Sequence, residues 1–262
     1  MPHSKSFGIR DCSLVIAAEP QLPSGTVPTV VLPARAVFKS TPRTRILQLA
    51  LGSEPFPFHA GQAVFAGLAE SSVWRPYSIA CSPGQSARTS MLELLVQIDD
   101  HEAPDPHLER AATGTRLRIE GPFGSFGVPS PLTEPHLLLI AGGTGIAPLR
   151  SIMWDTLERA PAVAIGLIYS ARSAEEFAYW DELRTLGAEG RIRFASTITR
   201  DAPSDWAGLR GRISEQLIGS MLDAEHTRCV ICGPAGLVAT ASTLLRQAGV
   251  SEHRIQTETY AA

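Results

Sequence analysis

The stretch Leu139-Ile140-Ala141-Gly142-Gly143-Thr144-Gly145-Ile146-Ala147-Pro148 decides how this chain folds. An apolar run that begins at His136 ends in a glycine loop, and the loop opens directly into a helical stretch. Glycines let a backbone turn tightly and approach a pyrophosphate, while a helix N-terminus offers free N–H groups and a partial positive charge. Pro148 suits the first helical turn, where its missing N–H costs nothing. A glycine turn alone serves equally as a tight-turn device, and proline replaces the third glycine of a G-x-G-x-x-G fingerprint, so the loop gains weight only from its surroundings.

Downstream, a helix is expected from Pro148 to about Ala160, then a strand over Val163–Tyr169 and a helix opened by Ser173-Ala-Glu-Glu176, which has capping-box spacing. Strands at Ile192–Ile198 and Cys229–Cys232, helices near Ile213–Leu222 and Ala235–Ala248, and an extended close over Arg254–Tyr260 follow. Strand and helix alternate, which predicts a parallel sheet with helices on both faces. Upstream the texture differs. Leu47, Leu49 and Leu51 alternate with Gln48 and Ala50; Leu92, Leu94, Val96 and Ile98 repeat the pattern, as do Leu117 and Ile119 against Arg116 and Arg118. Short alternating strands between Gly/Pro turns predict an antiparallel β-barrel or sandwich. The texture changes at Pro129-Ser130-Pro131. The expected organisation is an N-terminal extension over 1–28, a β-barrel domain over 29–132 and an α/β domain over 133–262.

The 262 residues suit two domains, and 44% hydrophobic with 19% charged residues describes a globular chain with a core to bury. A net charge of −3 suggests no affinity for nucleic acid or anionic lipid. No apolar run approaches the roughly 18 residues of a membrane span, and Ser13–Ala18 is too short for a secretory signal, so a cytoplasmic protein is expected. Cys229 and Cys232 have C-x-x-C spacing, but in a strand their side chains would point to opposite faces, and Cys12 and Cys81 form no second pair. No metal site is expected.

Two further clusters carry chemistry. In Arg75-Pro76-Tyr77-Ser78 the arginine can pair with a phosphate, the tyrosine can lie along a ring or sugar, and the serine can hydrogen-bond a ring nitrogen. Cys232-Gly233-Pro234 is a second turn from strand into helix. Taken in order with Gly121-Pro122-Phe123-Gly124, Gly142–Pro148 and Glu258-Thr259-Tyr260, these pieces resemble the ferredoxin–NADP reductase superfamily over roughly Pro33 to Tyr260. Phe58-His59-Ala60-Gly61-Gln62 is similar to that family's Phe-x-Pro-Gly-Gln strand entry, with Ala60 in place of the proline.

The resemblance implies a flavin-binding barrel followed by a pyridine-nucleotide domain, with hydride passing from nicotinamide C4 to flavin N5. It implies that Arg75 pairs with the flavin phosphate, that Tyr77 packs on the isoalloxazine or ribityl chain, and that Ser78 sits near N5, with Pro76 in the same cofactor-binding motif. Gly121 and Gly124 belong to the same flavin site. Gly142, Gly143, Thr144, Gly145 and Pro148 would hold the nucleotide pyrophosphate. Cys232 would lie near the nicotinamide, with Gly233 and Pro234 in the same cofactor-binding turn, and Glu258 and Tyr260 would close the site from the other side. Ser170 and Arg172 at the end of a strand favour NADPH, whereas Glu175 and Glu176 follow closely and leave NADH open. FAD is the expected flavin and FMN the alternative, because Glu102 and Asp105 replace the glycine and serine that meet the second phosphate in FAD-binding relatives, and a carboxylate there repels it. No Cys-x4-Cys-x2-Cys array is present, so the expected acceptor is a separate protein such as a ferredoxin or an oxygenase component. Reduction of free flavin or another small acceptor, and a non-catalytic nucleotide-sensing subunit, are the alternatives.

Overall fold

The structure is a computed structural model that describes residues 28–53, 55–98, 108–200 and 203–260. Residues 1–27, Glu102, Asp105 and Ala261–Ala262 lie outside the described residues, and with them the expectations attached to the extension and to the second flavin phosphate.

Among the described residues the strands form two six-stranded sheets. The first is antiparallel and runs β4-β3-β6-β1-β2-β5, built from β1 (Thr29–Thr41), β2 (Thr44–Ala50), β3 (Ala63–Leu68), β4 (Arg75–Ser78), β5 (Met91–Gln97) and β6 (Arg116–Phe123). Alternation explains its core: Leu47, Leu49, Leu92, Leu94, Val96, Leu117 and Ile119 all point inward and are buried. The two end strands meet at one bridge, Ile79 to Leu94, which curls the sheet into a barrel. Between β4 and β5 lies α1 (Pro83–Thr89), which the periodicity does not reveal. Its start is nonetheless written locally as a capping box: the Ser82 side chain accepts from the Gln85 amide, and the Gln85 side chain accepts from the Ser82 amide.

The second sheet is parallel, in the order β10-β9-β8-β7-β11-β12. Its strands are β7 (His136–Gly142), β8 (Ala164–Ala171), β9 (Arg193–Ile198), β10 (Leu209–Arg210), β11 (Thr227–Pro234) and β12 (Ile255–Tyr260). The helices α2 (Ile146–Arg159), α3 (Trp180–Ala188), α4 (Glu215–Gly219) and α5 (Ala235–Gln247) cover it. Successive side chains feed opposite faces. Leu137, Leu139 and Cys232 join the core under α2 and α3, whereas Leu138, Ile140 and Cys229 join the core under α4 and α5. The two cysteines of the C-x-x-C spacing therefore lie on opposite faces of β11, as strand geometry requires.

Two expectations need correction. Ser173 caps no helix. Its side chain makes no cap bond, Ala174–Glu176 form a single 3-10 turn, and α3 starts only at Trp180. The reason lies at Tyr179, whose φ of 58° breaks the helical path between the two. The helix expected over Ile213–Leu222 shortens to Glu215–Gly219, capped by the Ser214 side chain on the Leu217 amide.

One buried cation joins the sheets. Arg150 on α2 donates to the Ala80 carbonyl at 2.7 Å and to Glu93 of β5 at 3.1 Å, and grips Glu182 of α3 through Nε at 2.8 Å and Nη2 at 2.7 Å. Tyr179 donates its hydroxyl to the same Glu93 oxygen at 3.1 Å, and its ring lies under the guanidinium at 4.4 Å. Ser151 adds a bond to the Cys81 carbonyl, and Arg88 of α1 pairs with Glu158 of α2 at 2.6 Å. Burial opposes the charge on Arg150, but the bonds from Glu182 and the fields of Tyr179, Glu182 and Glu93 outweigh it and hold the guanidinium firmly protonated. Replacing Arg150 with methionine leaves two carboxylates facing each other without their cation. Arg150→Met is expected to lower stability by about 3–5 kcal/mol in urea unfolding, with partial recovery on adding Glu93→Gln. An unchanged midpoint would mean that the network does not hold the halves together.

Candidate active site

The strand order places the site. From β7 the chain moves outward to β8, β9 and β10, then returns to the other side of β7 as β11 and β12. The sense of winding reverses between β7 and β11, and open parallel sheets bind ligands beyond the carboxyl ends of the strands at such a reversal. A cleft of about 370 Å³ opens there, with Gly142, Gly143 and Thr144 on one wall and Pro234, Gly236 and Leu237 on another.

The glycines of the loop serve different ends. A Cβ on Gly145 would lie 2.2 Å from the Cys232 carbonyl oxygen, so this glycine lets the loop press onto β11. A Cβ on Gly142 would meet Pro234 and Leu237 at 3.0 and 2.7 Å. Gly143 alone turns left-handed, at φ 52°. Residues 143–145 form a 3-10 turn into α2, whose N-terminus carries no side-chain cap, and Pro148 is buried in its first turn. The Ile146 amide bonds the Gly143 and Thr144 carbonyls and Pro148 has no N–H, while the Thr144 and Gly145 amides lie against the Tyr260 hydroxyl, an oxygen at the kind of helix start that cradles an anion.

Charge follows the same pattern. Arg172, Arg200 and Arg212 line the cleft, and Ser170 lies beside them. Ser170 and Arg172 were legible as the end of a strand; Arg200 and Arg212 were not, although Arg200 stands just past the carboxyl end of β9, where the same rule would have found it. The barrel contributes Thr41, Arg43, Thr44 and Gln97, with Arg43 at 3.8 Å from Glu176 across the cleft. Nothing in the sequence pattern joins these residues to the glycine loop.

Behind the loop, register sets Ala141, Cys232 and Glu258 side by side on β7, β11 and β12. The Cys232 thiol donates to Glu258 at 3.6 Å. Burial pushes the Glu258 carboxyl up to about 7, against the pull of the thiol, and burial beside that carboxylate raises the Cys232 thiol well above its ordinary range. Tyr260 pairs with Pro234 and donates its hydroxyl to the Gly142 carbonyl at 2.5 Å, and burial raises its phenol to about 12.

The barrel motifs converge on one end of their sheet. Ser78, Ala63 and Phe123 lie in one row across β4, β3 and β6. Gln62 ties this end together: its carbonyl accepts from Ile79, its side-chain amide donates to the Gly124 carbonyl at 3.0 Å, and its side-chain oxygen accepts from His59. The Phe58–Gln62 stretch thus holds the Gly121–Gly124 turn against Arg75–Ser78. Tyr77 packs on the barrel core, and all four residues of β4 are half-buried. Gln256, which shares a face of β12 with Glu258 and Tyr260, donates to the Ser125 carbonyl at 3.0 Å and carries that face to the same end of the barrel. A cation, an aromatic ring and a hydroxyl on one terminal strand, beside a glycine turn with open space at Gly124, fit a phosphate-bearing aromatic cofactor. The cleft with its glycine loop and four arginines fits a second, anionic nucleotide.

Among the described residues no cluster of His, Cys, Asp and Glu could hold a metal ion, and no helix is long and apolar enough to cross a membrane, which says nothing of crossing by strands.

Residues 35–127 match the family described as Oxidoreductase FAD-binding domain, and residues 139–243 match Oxidoreductase NAD-binding domain. Ferredoxin–NADP reductase B of Sorangium cellulosum is 34% identical over 217 residues, spanning 78% of this chain and 86% of that one. The phenol hydroxylase P5 protein of Acinetobacter pittii is 28% identical over 228 residues, or 84% of this chain, which spans only 62% of that protein. The crystal structure of the Amycolatopsis reductase GcoB superposes with a TM-score of 0.77 at 27% identity, covering 90% of this chain and 72% of that one. A barrel with the FAD-binding signature, a parallel sheet with the NAD-binding signature and a relative matched over most of its length lead to one assignment: the chain belongs to the ferredoxin–NADP reductase superfamily and is an NAD(P)H-dependent flavoprotein oxidoreductase.

Proposed function

We propose that this chain oxidises NADPH in preference to NADH and delivers the electrons, through FAD, to a separate iron–sulfur or haem protein. The observation that carries the reading is the meeting of the two motif sets through β12, where Gln256 reaches the Ser125 turn of the barrel while Glu258 and Tyr260 line up with Cys232 and the glycine loop. The relatives named as a ferredoxin reductase and as a phenol hydroxylase component support a protein acceptor.

Arg75 would pair with the flavin phosphate, Tyr77 and Ser78 would line the flavin ring system, and Gly121 and Gly124 would let the turn approach it. The amides after Gly143 would bind the nucleotide pyrophosphate, with Ser170, Arg172, Arg200 and Arg212 placed to meet the further phosphate that distinguishes NADPH. Bound FAD supplies the hydride-accepting and electron-passing chemistry. The chain's own contribution near the reacting atoms is proton control. Cys232 stays a neutral thiol, and Glu258 Oε2 receives its hydrogen bond, so the pair adds at most one negative charge, and that charge is partly quenched near neutral pH.

The function is tested by anaerobic reduction of the pure protein with NADPH and NADH, followed by a screen of acceptors. Faster reduction by NADPH and turnover with an added ferredoxin support it; turnover confined to free FMN or ferric complexes would assign a small acceptor instead. Arg75→Ala is expected to weaken FAD retention about ten- to a hundredfold, the worth of a charge-assisted bond, and equal retention would remove Arg75 from the flavin site. For Glu258, a carboxyl raised from 4.5 to about 7 means that the folded protein holds the proton more tightly than the unfolded chain. Stability from this group is therefore complete at pH 4.5 and below and is lost as pH rises to about 7, on the order of 3 kcal/mol in all. Glu258→Gln should flatten that slope in urea titrations between these pH values, and an unchanged slope would show that Glu258 titrates normally.

A further inference from the structure

The glycine loop is held from beneath by a buried tyrosine that the proposed chemistry does not use. Tyr169 stands at the carboxyl end of β8, level with Ala141 of β7, and is completely buried. Its hydroxyl donates to the Gly143 carbonyl at 3.0 Å and accepts from the Ala178 amide at 3.2 Å. A trans peptide sends its C=O and N–H to opposite sides. Pinning the Gly143 carbonyl down into the protein therefore turns the next amide, Thr144 N–H, to the opposite side, where it meets the Tyr260 hydroxyl at the wall of the cleft. The Ile146 amide also bonds the Gly143 carbonyl within the 3-10 turn, so the Tyr169 hydroxyl is the side-chain half of a two-point hold on a peptide that follows a positive φ.

The other bond of Tyr169 leads to the barrel. Ala178 precedes Tyr179, a non-glycine residue held left-handed, and Tyr179 is anchored through its hydroxyl to Glu93 of β5. The Tyr169 ring is set edge-on against Phe177, with centroids 4.9 Å apart and planes at 80°. A continuous path of hydrogen bonds and covalent links thus runs from the inter-domain seam to the loop that faces the cleft.

We propose that Tyr169 is a positioning residue for the nucleotide pyrophosphate: its hydroxyl orients the Gly143–Thr144 peptide so that the Thr144 amide is held at the wall of the cleft. The inference rests on the reading that the pyrophosphate binds this loop. Tyr169→Phe keeps the ring and removes the bond. With FAD-loaded protein, the variant is expected to raise the NADPH KM and the NADP+ inhibition constant about two- to tenfold, the range for one neutral hydrogen bond. The kcat, the FAD content and the flavin spectrum should stay as in the parent. The inhibition constant of adenosine 2′-phosphate, which has no pyrophosphate, should not move. A general loosening of the sheet would weaken both ligands, and that result overturns the proposal, as does an unchanged NADP+ constant. Phe177→Leu, which frees the ring but keeps the hydroxyl, provides the second variant. It should give a smaller loss with the same selectivity for NADP+, and an equal loss for both ligands counts against the proposal. Gly143→Val separates the two levels of argument. If it leaves NADP+ binding intact, the loop reading itself fails; if it abolishes NADP+ binding while Tyr169→Phe changes nothing, only the role of Tyr169 fails.

Discussion

A guanidinium withdrawn from water must find its hydrogen-bond partners within the protein, and Arg150 finds them on both sides of the seam. The Ala80 carbonyl and Glu93 come from the barrel half, Glu182 from α3 beside its own helix. Breaking any one of these contacts strands a charge in a poorly hydrated place, so the two halves are held in one relative position by the cost of moving apart. Leu95 of β5 shows the apolar side of the same arrangement. It points away from the barrel interior, yet it is buried, because the core under α2 covers it. The cleft inherits its shape from this seam, since the β1–β2 turn can line it only while the halves stay in place.

Within the parallel half, topology decides where chemistry can occur and packing decides which glycines are needed. The reversal between β7 and β11 opens the sheet edge-on, and the loops from both strands must share the opening. Gly145 and Gly142 meet that demand by letting backbone lie against β11 and the start of α5. Gly143 adds a left-handed φ to its own close approach, since a Cβ there would lie 2.6 Å from the Tyr260 hydroxyl. A motif read as one phosphate device is thus two packing glycines and one conformational glycine, with Tyr169 below and Tyr260 above holding successive carbonyls.

The places where local reading failed have a common cause. Ser173-x-x-Glu176 and Ser82-x-x-Gln85 carry the same spacing, but only the second forms a capping box. The difference is Tyr179: its hydroxyl is drawn to Glu93 across the seam, and a backbone bent to allow that contact cannot also continue a helix from Ser173. A tertiary bond overrides a local preference worth about 1 kcal/mol. Arg200, Arg212 and the barrel's Arg43 were missed for a related reason. An arginine in a loop looks the same in sequence whether it faces solvent or a cleft, and only the folded sheet brings these three to one opening.

What the sequence determined by itself is what short-range physics controls. Alternation at Leu47–Leu51, Leu92–Ile98 and Arg116–Ile119 forces half-buried antiparallel strands, and the apolar run into Gly142–Gly145 forces a buried strand, a turn and a helix. The opposite facing of Cys229 and Cys232 follows from strand period alone. Strand order, the seam and the partners of Glu258 depend on residues far apart in the chain. Cys232 and Glu258 become neighbours only because β12 pairs with β11 in one particular register. The raised carboxyl at Glu258 arises from burial, against the bond from Cys232 26 residues away, and the pinned peptide at Gly143 from the Tyr169 hydroxyl, also 26 residues away. Desolvation and long-range hydrogen bonds have no signature in a local pattern, and so the tertiary structure alone decided them.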